Sequence, residues 1–165
     1  MRIIDRELLD ELSRQALENP RRRKNYNIHP TDDFCCHRLF NAIEPGSYIR
    51  PHRHLDPAKN ETFVIIRGRL GVILFDEDGQ VTDMVPLSPE GNTVVVDIPH
   101  GRFHTAVSLE PGTIFFEAKA GPYLPLGDAE KPHWAPEEGT PEAAGYLAGL
   151  AALFDSPSRN VRDQT

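Results

Sequence analysis

Between residues 33 and 120 the chain is cut at short intervals by turn-forming pairs: Pro45-Gly46, Asp78-Gly79, Glu90-Gly91 and Pro111-Gly112. Glycine enters the left-handed backbone region without a Cβ clash and proline fixes φ, so such pairs reverse a chain. The apolar runs between them are too short for helices and suit strands. Strands are expected at about 35–43, 47–52, 61–67, 70–76, 80–87, 93–98, 103–108 and 113–119. Many short strands at this spacing imply an all-β chain folded as a small antiparallel β-barrel or jelly roll.

The flanks read differently. Leu8, Leu9, Leu12, Ala16 and Leu17 recur at helical spacing within residues 5–19, with Asp5 placed to cap the helix and Pro20 to stop it. Thr140-Pro141-Glu142 has the form of a second helix start, followed by Tyr146, Leu147, Leu150, Leu153 and Phe154 on one face. The expected organisation is an N-terminal helix and basic linker over 1–24, a barrel over 25–125, a Pro-rich segment and C-terminal helix over 126–155, and a flexible polar tail over 156–165. A chain of 165 residues with 39% hydrophobic and 26% charged residues holds one domain and can bury one core without disulfides.

A formal charge of −7 argues against nucleic acid as a partner, because phosphate binding needs clustered Lys and Arg. The one basic run, Arg21-Arg22-Arg23-Lys24, reads as a solvated linker, with the rim of an anionic-ligand pocket as the alternative. Cys35 and Cys36 are adjacent and form no disulfide framework, which favours a reducing, cytoplasmic setting. No apolar leader and no membrane-length apolar stretch is seen, so neither secretion nor membrane insertion is expected.

The chemistry lies in Pro51-His52-Arg53-His54, followed by Glu61. On an extended chain two histidines one residue apart share a face, and the stretch from Leu55 to Asn60 is long enough to bring Glu61 back to them. A second stretch, Pro99-His100-Gly101-Arg102-Phe103-His104, places His104 just beyond a turn as a natural fourth ligand. Imidazole with carboxylate suits one divalent transition ion, Fe, Zn, Mn, Ni or Co, better than Ca or Mg.

The spacings Gly46-x5-His52-x-His54-x6-Glu61-x6-Gly68 and Gly91-x7-Pro99-x-Gly101-x2-His104 resemble the two motifs of the cupins. The gaps from His54 to Glu61 and from Gly91 to Pro99 are longer than in the family pattern, and Ser108 stands where the pattern has Asn. Within the cupins the chain is similar to the WbuC-type cupin-fold metalloproteins. That resemblance runs through Ser47 to His54, Lys59-x-Glu61, Arg67-Gly-Arg69, Phe116-Glu117-Ala-Lys119-x-Gly-Pro-Tyr123 and Trp134-Ala-Pro-x-Glu138. It implies a metal-binding barrel, with a link in some members to bacterial surface-polysaccharide biosynthesis.

Other residues are candidates to line the site. Arg67 shares strand parity with Glu61 and is expected to face inward, as an anion clamp or in an internal salt bridge such as one to Glu117. Tyr48 shares parity with His52, and Arg38, Arg50, Glu117 and Lys119 are weaker candidates. Arg67, Tyr48 and Glu117 are the catalytic candidates. His29, His37, His100 and His133 read as ordinary histidines, and Trp134 and Tyr123 as covers for one barrel end. No phosphate loop, Cys-x-x-Cys pair or nucleophile elbow is found. Two functions follow as expectations. One is a metal-dependent enzyme, an oxygenase or isomerase, acting on a small anionic or carbohydrate-like molecule; the other is a non-catalytic ligand-binding module. A homodimer is expected by resemblance to the cupins.

Overall fold

The computed structural model describes residues 1–155; the polar tail expected over 156–165 lies outside the described residues. Helix α1 (Arg6–Glu18) leads into eight strands: β1 (Arg23–Asn27), β2 (Cys36–Ile43), β3 (Glu61–Arg67), β4 (Leu70–Phe75), β5 (Val81–Leu87), β6 (Val95–Ile98), β7 (Phe103–Ser108) and β8 (Thr113–Ala120). Helix α2 (Pro141–Ala152) follows. The strands form two antiparallel sheets, ordered β1-β2-β8-β3-β6 and β5-β4-β7. Two sheets joined by crossing connections make the expected jelly roll.

Ile43, Phe63, Ile65, Val72, Leu87, Ala106 and Phe115 pack between the sheets. The outer faces are closed by the helices. Leu9, Leu12 and Ala16 of α1 bury against Phe40, Ala42 and Ile114, and full burial of a leucine such as Leu12 contributes about 1.5–3 kcal/mol. Leu17, counted with that apolar stripe, is exposed instead. Asp5 accepts a hydrogen bond from the Leu8 amide at 3.0 Å and so caps α1. On the other sheet Ala143, Leu147 and Leu150 of α2 pack on Ile73, Phe75, Phe103 and Val107.

Three expectations need correction. Residues 47–52 form no strand; only His52 bridges to His104, and Pro51 beside it has no amide hydrogen to give a ladder. The basic run is only half a linker: Arg21 and Arg22 lie in the connection from α1, whereas Arg23 and Lys24 open β1, an edge strand paired with β2. Charged side chains on an edge strand discourage pairing with other chains. Arg67 does not face inward. A bulge between Ile65 and Arg67 shifts the register by one residue, so Arg67 stands opposite the outward-facing Ile114 and donates to Asp10 of α1 at 2.7 Å.

Gly68 closes the β3–β4 turn with φ of +75°, and a Cβ there would stand 2.9 Å from the Thr113 backbone. Gly68→Ala should lower stability by about 2 kcal/mol or more, read from the urea midpoint; an unchanged midpoint would refute the close approach.

The basic run also ties the N-terminal segment to the Pro-rich one. Arg21 and Arg23 both donate to Glu138, each at 2.8 Å. Burial pushes the Glu138 carboxyl up, but these guanidinium hydrogen bonds outweigh it and hold it at about 2, below the ordinary 4.5. A carboxyl depressed on folding stabilises the protein above its unfolded pKa, and that contribution is lost as pH falls through the folded one. Glu138→Gln should therefore flatten the loss of stability between pH 4.5 and 2, measured by denaturant titration at several pH values. Equal slopes in the two proteins would show that the pairs do not matter.

Candidate metal centre

The bridge between His52 and His104 brings a loop and a strand together. The His52 amide donates to the His104 carbonyl at 3.0 Å and the His104 amide donates back at 2.8 Å. Residues paired this way carry their side chains on one face, and the two imidazole centroids lie 4.7 Å apart. The Gly101 amide donates to the His54 carbonyl at 2.7 Å and fixes the next turn of the same loop.

Glu61 enters from the opposite sheet at the first residue of β3 and is only 2% exposed. Its Oε2 lies 2.7 Å from His104 Nε2 and its Oε1 3.2 Å from His54 Nε2. One ligand atom from each of His52, His54 and Glu61 falls within 4.8 Å of the others. His104 is not part of that three-residue group and joins it through its contact with Glu61. The lengthened interval between His54 and Glu61 is taken up by the turn around Asp56 and Lys59 and does not remove Glu61 from the cluster.

Protonation fits the same role. His52 Nδ1 lies 3.1 Å from the Arg50 carbonyl and His104 Nδ1 2.9 Å from the Arg102 carbonyl. A carbonyl only accepts, so both Nδ1 atoms carry hydrogen and donate, an arrangement that orients an imidazole ligand and leaves Nε2 to the metal. Burial, and then the neighbouring His104, lower the pKa of His52 to about 3, which keeps it neutral. Among the described residues, no hydrogen bond is made by its Nε2. His104 Nε2 and Glu61 Oε2 at 2.7 Å would present two lone pairs to each other unless a cation, a proton or a metal ion, stands between them.

Burial alone would raise the Glu61 carboxyl, yet hydrogen bonds with His104 and His54 and the charge of Lys119 outweigh it and hold it well below the ordinary range. Lys119 stands directly across from Glu61 in the β3–β8 register, and its Nζ donates to Glu61 at 2.6 Å and to Glu117 at 2.7 Å. Desolvation would lower its pKa, but the two carboxylates raise it and keep it charged. Asn41 Nδ2 donates to the second oxygen of Glu117 at 2.8 Å.

Two cavities meet at this cluster, and His52 and Lys119 line both. The inner one, about 170 Å³, has Asn25, Asn41, Glu61, His104 and Glu117 on its polar side and Phe63 and Phe115 on its apolar side. The outer one, about 140 Å³, is lined by His37, His54, Lys59, Tyr123 and Leu124. Glu117 thus lies where a pocket residue should. Tyr48 does not: it packs under α2 and its hydroxyl donates to the Pro136 carbonyl at 2.8 Å. Arg50 turns to the Pro132 carbonyl and Glu137, while Arg38 lies 6.0 Å from the Phe34 ring. Arg23 of the basic run borders the inner cavity, although its guanidinium is held by the Tyr48 carbonyl and Glu138.

His29 stacks on His37 with centroids 4.1 Å apart, beside the outer cavity rather than in the cluster. Trp134 covers Phe75 and Phe103 on the outside of the smaller sheet. The residues alone gave Lys119 little weight, marked Lys59 only through the family resemblance and gave no sign of Asn41. The alternation Phe115, Glu117, Lys119 along β8 carries the signal, since polar residues on an inward face need internal partners.

A family model described as Domain of unknown function (DUF6016) matches residues 4–87. The chain belongs to this family. The matched part carries His52, His54 and Glu61 and ends before His104, Glu117 and Lys119. A search of curated proteins finds no match. Among solved structures, TT1209 from Thermus thermophilus is 19% identical, with 73% of this chain and 97% of that one covered at a TM-score of 0.51. KdgF from Halomonas sp. is 21% identical over 64% and 84% of the two chains, with a TM-score of 0.49. A cupin superfamily protein from Desulfitobacterium hafniense is 11% identical over 59% and 76%, with a TM-score of 0.46. The likeness to TT1209 bears on fold alone, and the two antiparallel sheets themselves make a jelly roll with flanking helices. Among the described residues, no helix is long and apolar enough to cross a membrane.

His52→Ala and His104→Ala should each lose most bound metal while remaining folded, whereas His100→Ala should keep it. Elemental analysis of protein purified without a chelating tag reads the outcome, and full metal content in both site variants would sink the assignment.

Proposed function

We propose that this chain is a metal-dependent cupin enzyme acting on a small polar or anionic molecule, with His52, His54, Glu61 and His104 holding one divalent transition ion. The observation that carries the reading is the convergence of three imidazoles and one buried carboxylate on the wall shared by two cavities. A purely structural ion would gain nothing from cavities on either side. The candidate metals remain Fe, Zn, Mn and Ni, and the ion supplies Lewis acidity to a bound carbonyl or hydroxyl group.

The chain's own groups do the rest. Glu117 faces the inner cavity and serves as the pocket base, in reach of a proton on a molecule held there. Burial raises its pKa above that of an ordinary carboxylate, which brings it nearer to neutral operating pH. Phe63, Phe115 and Ile49 exclude water from one side of the cavity. Lys59 and Tyr123 line the outer cavity, where an incoming anion meets an ammonium and an aromatic face.

A carbohydrate derivative is the favoured substrate through similarity to the WbuC-type proteins, which also supports a role in surface-polysaccharide biosynthesis; the adjacent Cys35 and Cys36 support a cytoplasmic setting, and the resemblance to the cupins supports a homodimer. A second reading, a non-catalytic ligand-binding module, is favoured by the tight engagement of Lys119 and Glu117 with each other. Metal-free and reloaded protein should be assayed against sugar acids and small carboxylates by NMR and O2 uptake. Turnover that needs metal, and that Glu117→Gln abolishes at saturating metal, is expected. Stoichiometric binding with no product would favour the module, and neither binding nor turnover would reject both readings.

A further inference from the structure

Lys119 lies between two buried carboxylates, and none of the cupin motif positions accounts for it. Its Nζ reaches Glu61 Oε1 at 2.6 Å and Glu117 Oε1 at 2.7 Å, while Asn41 holds the far oxygen of Glu117. The strand register enforces this grouping. Lys119 is paired with Glu61 and Glu117 with Phe63 across the β3–β8 ladder, so all three charged groups share the interior face.

Two charges of one sign and one of the other are therefore enclosed beside three imidazoles. An isolated buried carboxylate is strongly destabilising, and Glu61 has two imidazole rings and this one ammonium as its partners. A divalent ion bound by the same carboxylate would repel the ammonium. Glu117 resolves the conflict, because Nζ already stands within bonding distance of it and needs no travel to keep a counter-charge.

Resting on the metal-site reading above, we propose that Lys119 is a resident counter-cation: it neutralises Glu61 in the metal-free barrel and is left to Glu117 when a metal ion takes Glu61. Lys119 is thus a positioning residue for metal loading. Asn41 serves the same end by fixing Glu117, whose carboxylate receives the ammonium.

Co2+ titration followed by calorimetry, with thermal melting in its absence and presence, tests this on the unaltered protein, Lys119→Met and Glu117→Gln. Lys119→Met should melt lower without metal, bind Co2+ about tenfold more tightly or better, and gain more in melting temperature from Co2+ than the unaltered protein. Glu117→Gln should shift affinity the opposite way, by about tenfold, because the ammonium stays on Glu61. Unchanged or weaker Co2+ binding by Lys119→Met, with an equal gain in melting temperature, would reduce Lys119 to a structural ion pair and overturn the proposal. If Lys119→Met fails to fold, Glu117→Gln decides alone: an unchanged affinity overturns it. Failure of the unaltered protein to bind Co2+ would remove the metal-site reading itself, whereas normal binding without the opposed shifts would remove only the counter-cation.

Discussion

A carboxylate cut off from water must find its balance inside the fold, and Glu61 finds it from both sheets at once. His104 reaches it from the smaller sheet, His54 from the connecting loop and Lys119 from the neighbouring strand of its own sheet. The cluster joins the two layers at one mouth of the barrel, where the apolar packing of Phe63, Phe115 and Ile65 gives way to polar groups. Removing Lys119 would leave carboxylate charge enclosed without its counter-charge, so the cluster specifies how the strands meet as well as what they can bind.

The rest of the architecture keeps this arrangement in place from outside. Helix α1 covers the larger sheet through Phe40 and Ile114, and α2 covers the smaller one through Phe103 and Val107. Alternation along β7 divides these duties: Phe103 and Val107 pack outward under α2 and Trp134, while His104 and Ala106 face the interior. The same division on β8 sends Ile114 and Phe116 to α1 and leaves Phe115, Glu117 and Lys119 inside. Burial of the outward residues sets the register, and the register sets the site.

Much of this was legible in the residues. Turn pairs and short apolar runs announced the strands from β2 to β8, and His52, His54, Glu61 and His104 stood out because few other arrangements explain them. What failed to show was local geometry that competes with periodicity. The bulge after Ile65 turned Arg67 outward to Asp10, and parity counting has no means of seeing an inserted residue. Tyr48 shares parity with His52 on paper, but residues 47–50 form no strand, so parity does not apply there. The edge strand β1 was hidden by its charges, which are the feature that protects an edge. Lys119 was underweighted because its importance comes from a partner across the sheet, and pairing between distant strands leaves no local mark.

The central claim is that these four side chains hold an ion between the sheets. Anomalous diffraction at the absorption edge of the metal found in the purified protein tests it most directly. A single strong peak is predicted within about 2.0–2.4 Å of His52 Nε2, His54 Nε2, Glu61 Oε2 and His104 Nε2. A metal-bearing crystal with its peak elsewhere, and only protons or water between Glu61 and the histidines, would contradict the account.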